Sequence, residues 1–260
     1  MDDFLVATQK LYALLDLKYK AVSVEVLKDR EAFEAEDAQP IQNAINYCGA
    51  VRAATRGHGI KISRGKFRCK SAERFFGIHP DDPANARGEN WHRLGLYEQK
   101  EVSEAIRTGQ RTLPDGNYGV VVRPLEAWGR CPEVVLIFDV PYIAMRIVQG
   151  YGYKYGEPEG LRILGNQAVC YESTTLPLTT GSLNLSLLCI GTRHRAGWAK
   201  EDMSVGIPGD KFAGVVEGIE KTANTMEGDD EKRRILSRWD EKSWGPLPLR
   251  FRYNYYMDCK

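Results

Sequence analysis

Apolar positions in residues 3–17 fall at helical spacing, with Phe4, Leu5, Leu11, Leu14 and Leu15 on one face, so an opening helix is expected. Residues 21–27 (AVSVEVL) alternate valines with polar residues, the period of a half-buried strand. A second helix is expected over 41–55, placing Ile45, Cys48, Val51 and Arg52 on one face, and Gly57 and Gly59 end it. A short strand follows at 60–63, then a helix over 66–76 with Cys69 near its start. Residues 78–90 read as loop, with Asp81-Asp82 as turn chemistry between prolines, and a polar helix covers 98–108. The runs YGVVVR (118–123) and EVVLIF (133–138) are apolar and β-branched, as in strands covered on both faces. Pro141 opens a helix over 142–153, where proline is expected at a helix entry, and the succession reads as a βα unit. Tyr151, Tyr153 and Tyr155 follow on a glycine-spaced segment. A strand at 203–207 and a helix at 210–222, with Phe212, Val215, Val216 and Ile219 facing the core, complete the regular pattern.

The pattern predicts an α/β or α+β fold: a single mixed-sheet domain with flanking helices over residues 1–226. A C-terminal extension, 227–260, is charged and then aromatic (Trp239, Trp244, Phe251, Tyr253, Tyr255, Tyr256). It is expected to pack on its own domain or on a neighbouring subunit of a homo-oligomer.

One stretch resists this reading. Residues 166–195 (NQAVCYESTTLPLTTGSLNLSLLCIGTRHR) lack a clear helical or strand period and are rich in Thr, Ser, Gly and Pro. They read as some thirty residues of turn chemistry, which a compact domain usually keeps for a site. The stretch carries Cys170 and Cys189, and a second cysteine-bearing stretch holds Cys48 and Cys69.

Composition narrows the function classes. With 27% charged residues and a net charge of +1, no overall basic field argues for nucleic acid or an anionic membrane. No apolar run approaches a membrane span, and the N-terminus lacks a signal-peptide layout, so a cytoplasmic protein is expected. Six cysteines without a CxxC pair do not form a disulfide framework in that compartment, and buried free thiols are their plain alternative role. No dinucleotide fingerprint, P-loop, nucleophile elbow or HExxH is present. His58, His79, His92 and His194 are scattered in expected loops.

Several segments together carry a family likeness: LDLKYKAVS (15–23), CGAVRAATRG (48–57), Cys69, the strand and P-x-x-A-M-R run within 134–155, and VGIP (205–208). The strongest part runs from Cys170 through Pro177, Thr180-Gly181 and 184–186 to Cys189-x-Gly-x-Arg193. Over about residues 8–222 the chain resembles the uncharacterised archaeal-conserved-region family, domain-of-unknown-function family 169, found mainly in archaea and anaerobic bacteria. It departs where Lys70-Ser71 follow Cys69 in place of the family's Pro-Gly.

The resemblance selects Cys48, Cys69, Cys170 and Cys189 as the family's cysteine positions and leaves out Cys131 and Cys259. Four thiolates are a ligand set for an iron–sulfur cluster or structural zinc. The link to anaerobes puts a [4Fe–4S] cluster ahead of zinc. Arg193 and Asn184 are the accompanying candidates, as a charge and a hydrogen-bond donor toward cofactor or substrate; Thr179, Thr180 and Ser186 donate either to sulfurs or to turn backbone. The expected function is a redox or Lewis-acid role in anaerobic small-molecule metabolism, with a small-molecule substrate or a redox partner protein. The alternatives are a metal-free cysteine-dependent enzyme, with Cys69 or Cys189 as nucleophile, and a non-catalytic partner subunit.

Overall fold

The centre of the molecule is a seven-stranded sheet in the order β2-β3-β4-β1-β5-β7-β6. Its strands are β1 Val22–Leu27, β2 Gln39–Pro40, β3 Ile60–Ser63, β4 Gly119–Pro124, β5 Val134–Asp139, β6 Asn184–Ser186 and β7 Met203–Pro208. A computed structural model describes residues 3–80 and 82–238. The predicted Asp81 turn falls partly, and the aromatic run from Trp239 with Cys259 wholly, outside the described residues.

The helices are α1 Asp3–Leu14, α2 Arg30–Ala35, α3 Tyr47–Ala54, α4 Lys70–Phe75, α5 Pro83–Ala86, α6 Glu89–Arg93, α7 Lys100–Thr108 and α8 Pro141–Tyr155. A π-helix, Ala168–Thr175, runs into α9 Leu176–Thr180; α10 Ile190–Ala196, α11 Gly209–Met226 and α12 Asp229–Arg238 follow. All sheet pairings are antiparallel except the edge pair β2–β3. The expected single mixed sheet with flanking helices is therefore present, although β5 and α8 do not form a parallel crossover.

Alternation along the central strands divides the core in two. Val22, Val24 and Val26 of β1 with Val134, Leu136 and Phe138 of β5 point to the face that carries Tyr47, Phe75, Tyr171 and Cys170. Val135, Ile137, Val205 and Ile207 point to the other face, against Leu11, Ile147, Phe212 and Val216 of α1, α8 and α11. On this second face α8 and α11 approach backbone to backbone: a Cβ added at Gly218 would lie 2.0 Å from the Gly150 carbonyl oxygen. Gly150 therefore sits inside the helix for packing, and the tyrosines expected after it occupy the last turns of α8. The same face holds a buried ion pair. Arg146, fully buried, donates to Glu227, to Gln149 Oε1 (2.7 Å) and to the Ile219 carbonyl (3.1 Å). α12 closes this side, with Ile235 buried and Arg238 donating to the Ala13 carbonyl at 2.9 Å.

Two expectations fail on the first face. The helix expected over 41–55 begins only at Tyr47, because the backbone of Ile45 is taken by residues 66–68. Ile45 N–H donates to the Lys66 carbonyl (3.0 Å), and Arg68 N–H donates to the Ile45 carbonyl (2.9 Å). The stretch 166–195 is not turn chemistry but a π-helix, two α-helices and an edge strand, and every residue of the π-helix is buried. Its threonines hid the helix. Thr174 and Thr175 turn their hydroxyls back onto the Val169 and Cys170 carbonyls five residues earlier, at 2.7 and 2.9 Å. The widened turn presses against β7, where a Cβ at Gly206 would stand 1.8 Å from the Ser173 carbonyl oxygen.

Candidate metal centre

The Ile45–Phe67 bridge that shortens α3 also builds the site. It sets the chain entering α3 beside the chain entering α4, so Cys48, second residue of α3, and Cys69, the residue capping α4, reach one place. The other half comes from the π-helix, which carries Cys170, and from the start of α10, which Cys189 caps. Tyr47 and Thr174 tie the halves together with a buried hydrogen bond of 3.0 Å. All four sulfur-bearing residues line a single cavity of about 110 Å³. Its apolar wall comes from Tyr47, Ala72, Ala168 and Val169, and its polar groups come from Asn46, Gln167, Thr192 and Arg195.

The backbone is strained here. Gln167 (φ 56°) and Leu188 (φ 63°) are the two non-glycine residues with positive φ among the described residues. Gln167 precedes the π-helix and Leu188 precedes Cys189, so each starts a segment that delivers a sulfur. Such conformations cost about 1–3 kcal/mol each and persist where surrounding contacts hold them. Gln167 is held by Ser71 Oγ, which accepts from its Nε2 (2.6 Å), and by Gln110 Nε2, which donates to its Oε1 (3.0 Å). A π-turn is itself a feature that concentrates at functional sites.

Burial pushes the Cys48 thiol up to about 11, and the neighbouring Cys189 and Cys69 add repulsion. The Cys170 thiol lies well above its ordinary range for the same reasons, burial first and then Cys69, Cys189 and Cys48. The four groups therefore sense one another electrostatically. Both thiols are neutral at pH 7, and a bound cation would reverse this by drawing out the protons. Cys189 Sγ accepts from Thr192 N–H at 3.3 Å and lies 3.1 Å from the Thr192 hydroxyl, which also acts on Cys48. Thr192 stands three residues beyond the capping cysteine, a spacing legible in the sequence.

Among the described residues, no three His, Cys, Asp or Glu side chains are gathered so as to hold one metal ion. A tetrahedral zinc site with metal–sulfur distances of about 2.3 Å needs its sulfurs within about 4 Å of one another. A polynuclear cluster interposes bridging sulfides and takes its cysteines from wider apart. The donor set, four soft sulfurs in a largely apolar cavity with a hydroxyl and a backbone N–H directed at one of them, fits such a group.

The other expected residues stand elsewhere. Arg193 does not line the cavity; it donates to the carbonyls of Leu187 (2.7 Å), Asp202 (3.0 Å) and Ala199, fastening the loop after α10. Asn184, on β6, donates to the carbonyls of Glu172 (2.8 Å) and Leu185 (2.9 Å) and accepts from Arg162 N–H (2.9 Å). Both are committed to the backbone, and so are the hydroxyls of Thr179 and Thr180, which donate to carbonyls at the start of α9. Ser186 donates to the buried Glu172 carboxylate. The polar residues that do reach the cavity, Asn46, Gln167, Thr192 and Arg195, carry no recognisable ligand spacing in the sequence. His194 and Cys131 are exposed, and neither lines the cavity. No helix among the described residues is long and apolar enough to cross a membrane.

Comparison with known proteins places these features in a family. An uncharacterized protein of Methanocaldococcus jannaschii, MJ0308, is 25% identical over 215 residues, covering 82% of this chain and 91% of that one. No solved structure gives a significant match. The model of the DUF169 family, described as uncharacterised ArCR, matches residues 10–218, which includes all four cavity cysteines and both sheet faces, and the chain belongs to that family.

Proposed function

We propose that this is a cysteine-ligated iron–sulfur protein, with Cys48, Cys69, Cys170 and Cys189 as the ligands of a [4Fe–4S] cluster, acting in anaerobic small-molecule metabolism in the cytoplasm. The observation that carries the reading is the sharing of one cavity by four thiols from four separate segments, two of them delivered by strained residues. Bound through all four cysteines, such a group would supply one-electron chemistry; Lewis acidity would need an iron left open by one of them. The chain's own residues then shield it: Tyr47, Ala168 and Val169 exclude water, and Thr192 donates to the Cys189 sulfur. A small-molecule substrate or a redox partner protein completes the reading; nucleic acid does not enter it.

The test is purification without oxygen, or reconstitution with ferrous iron and sulfide, followed by iron and sulfide analysis and EPR of the reduced protein. Serine in place of any of the four cysteines is expected to lose most of the iron, and Cys131→Ser to keep it. A protein that takes up neither iron nor sulfide, or that retains iron in all four variants, defeats the reading.

A second reading has one observation behind it. Thr192 N–H donates to the Cys189 sulfur and the Thr192 hydroxyl lies 3.1 Å from it, so a metal-free enzyme would use Cys189 as nucleophile. It requires a metal-free protein inactivated by alkylation of that single thiol.

A further inference from the structure

Most polar groups in the wall of the cysteine cavity are already engaged. Gln167 bonds Ser71 and Gln110, and Thr192 bonds Cys189. Two are not. The Oδ1 atom of Asn46 is buried and has no hydrogen-bond partner. Asn46 occupies the capping position of α3, where an asparagine normally accepts from the first turn, yet its side chain makes no such bond. The second group is the guanidinium of Arg195, an exposed residue that lines the same cavity and has no hydrogen bond or ion pair among the described residues. An acceptor without a donor and a cation without an anion therefore belong to residues bordering the space the sulfurs share. Each has a defined complement: a buried carbonyl oxygen calls for an N–H or O–H, and a free guanidinium calls for a carboxylate.

The geometry points to a small organic acid as the ligand of this site, its carboxylate on Arg195 and a hydroxyl or amine donor on Asn46 Oδ1, lying against the cysteine sulfurs. The cavity, at about 110 Å³, restricts the ligand to a few heavy atoms beyond its carboxylate. This inference stands beside the cluster reading and does not rest on it: a space of this size holds the acid or a cluster, and the two recognition groups belong to the polypeptide alone.

The probes are L-lactate, which has both groups, propionate, which lacks the hydroxyl, and lactamide, which lacks the charge. Each is titrated by calorimetry into cluster-loaded and metal-free protein, with iron and sulfide measured on the same samples. L-lactate is expected to bind at least about tenfold tighter than either analogue, the usual effect of one charge-assisted or orphan-satisfying hydrogen bond. Arg195→Gln should weaken L-lactate by about tenfold while leaving iron content unchanged, and Arg195→Lys should recover part of the loss. Asn46→Ala should abolish the preference for L-lactate over propionate; circular dichroism confirms that α3 still forms. Equal binding of the three compounds, no saturable binding, or wild-type affinity in Arg195→Gln overturns the inference. Metal-free protein that selects L-lactate supports the acid site by itself, and failure of the protein to take up iron and sulfide on reconstitution removes the cluster reading separately.

Discussion

The hydroxyls of Tyr47 and Thr174 share a buried hydrogen bond of 3.0 Å across 127 positions of sequence. Tyr47 precedes Cys48 on α3, and Thr174 lies one turn beyond Cys170 on the π-helix, so this bond spans the two halves of the cavity. Tyr47→Phe keeps the ring, which packs edge-on against Phe76 with centroids 4.8 Å apart, and removes only the hydroxyl. Thr174 keeps its bond to the Val169 carbonyl. The expected loss is about 1 kcal/mol in urea unfolding, with lower iron retention on exposure to a chelator.

Gly206 is fixed by contact, not by backbone angle. A methyl group there would lie 1.8 Å from the Ser173 carbonyl oxygen and 2.9 Å from Pro177, so the π-helix must lift off β7 to admit it. Gly206→Ala is expected to destabilise by about 3 kcal/mol, the upper end of ordinary overpacking. Thermal unfolding measures it.

Arg146 and Glu227 form an ion pair with side-chain exposures of 0% and 2%. Arg146→Met leaves the carboxylate without its cation and should cost about 3–5 kcal/mol. The double variant Arg146→Met with Glu227→Leu should lie much nearer the parent protein in chemical denaturation, since no charge is then stranded.

The metal-free protein should lose stability in alkaline solution. The Cys48 thiol is raised to about 11 in the folded state from an ordinary value near 9. Its contribution is present in full below pH 9, where both states hold the proton. It declines as the unfolded chain ionises, and is gone above pH 11. The loss across that window is on the order of 2 kcal/mol, and Cys48→Ser should flatten this part of the stability profile.

Thr192 donates its backbone N–H to the Cys189 sulfur and holds its hydroxyl 3.1 Å from it, where it would donate to a metal-bound thiolate. Hydrogen bonds to cluster sulfurs raise reduction potentials by stabilising the more negative state. Thr192→Val keeps the backbone donor and the side-chain shape, so the cluster-loaded protein should show a lower potential, on the order of tens of millivolts, at unchanged iron content. Redox titration followed by EPR reads the shift.

What the sequence determined is the set of elements whose period is written in their own residues. The β1, β4 and β5 strands, and helices α1, α8 and α11, are legible because each buries its apolar positions at the spacing of its own backbone. Family-like motifs marked which four of the cysteines to consider, and those four line one cavity.

What only the tertiary structure decided is how those cysteines meet. The start of α3 depends on backbone bonds from residues 66–68 to Ile45, which no local pattern encodes. The π-helix is held by threonine hydroxyls and by the flat seat that Gly206 leaves on β7, so its residues read as turn formers although all are buried. Arg193 and Asn184 looked chemical because of their neighbours in sequence, but their hydrogen bonds go to backbone. Arg195, Asn46 and Thr192 reach the cavity because side-chain direction is set by how helices dock on the sheet, and that is a property of contacts between segments remote from one another in the chain.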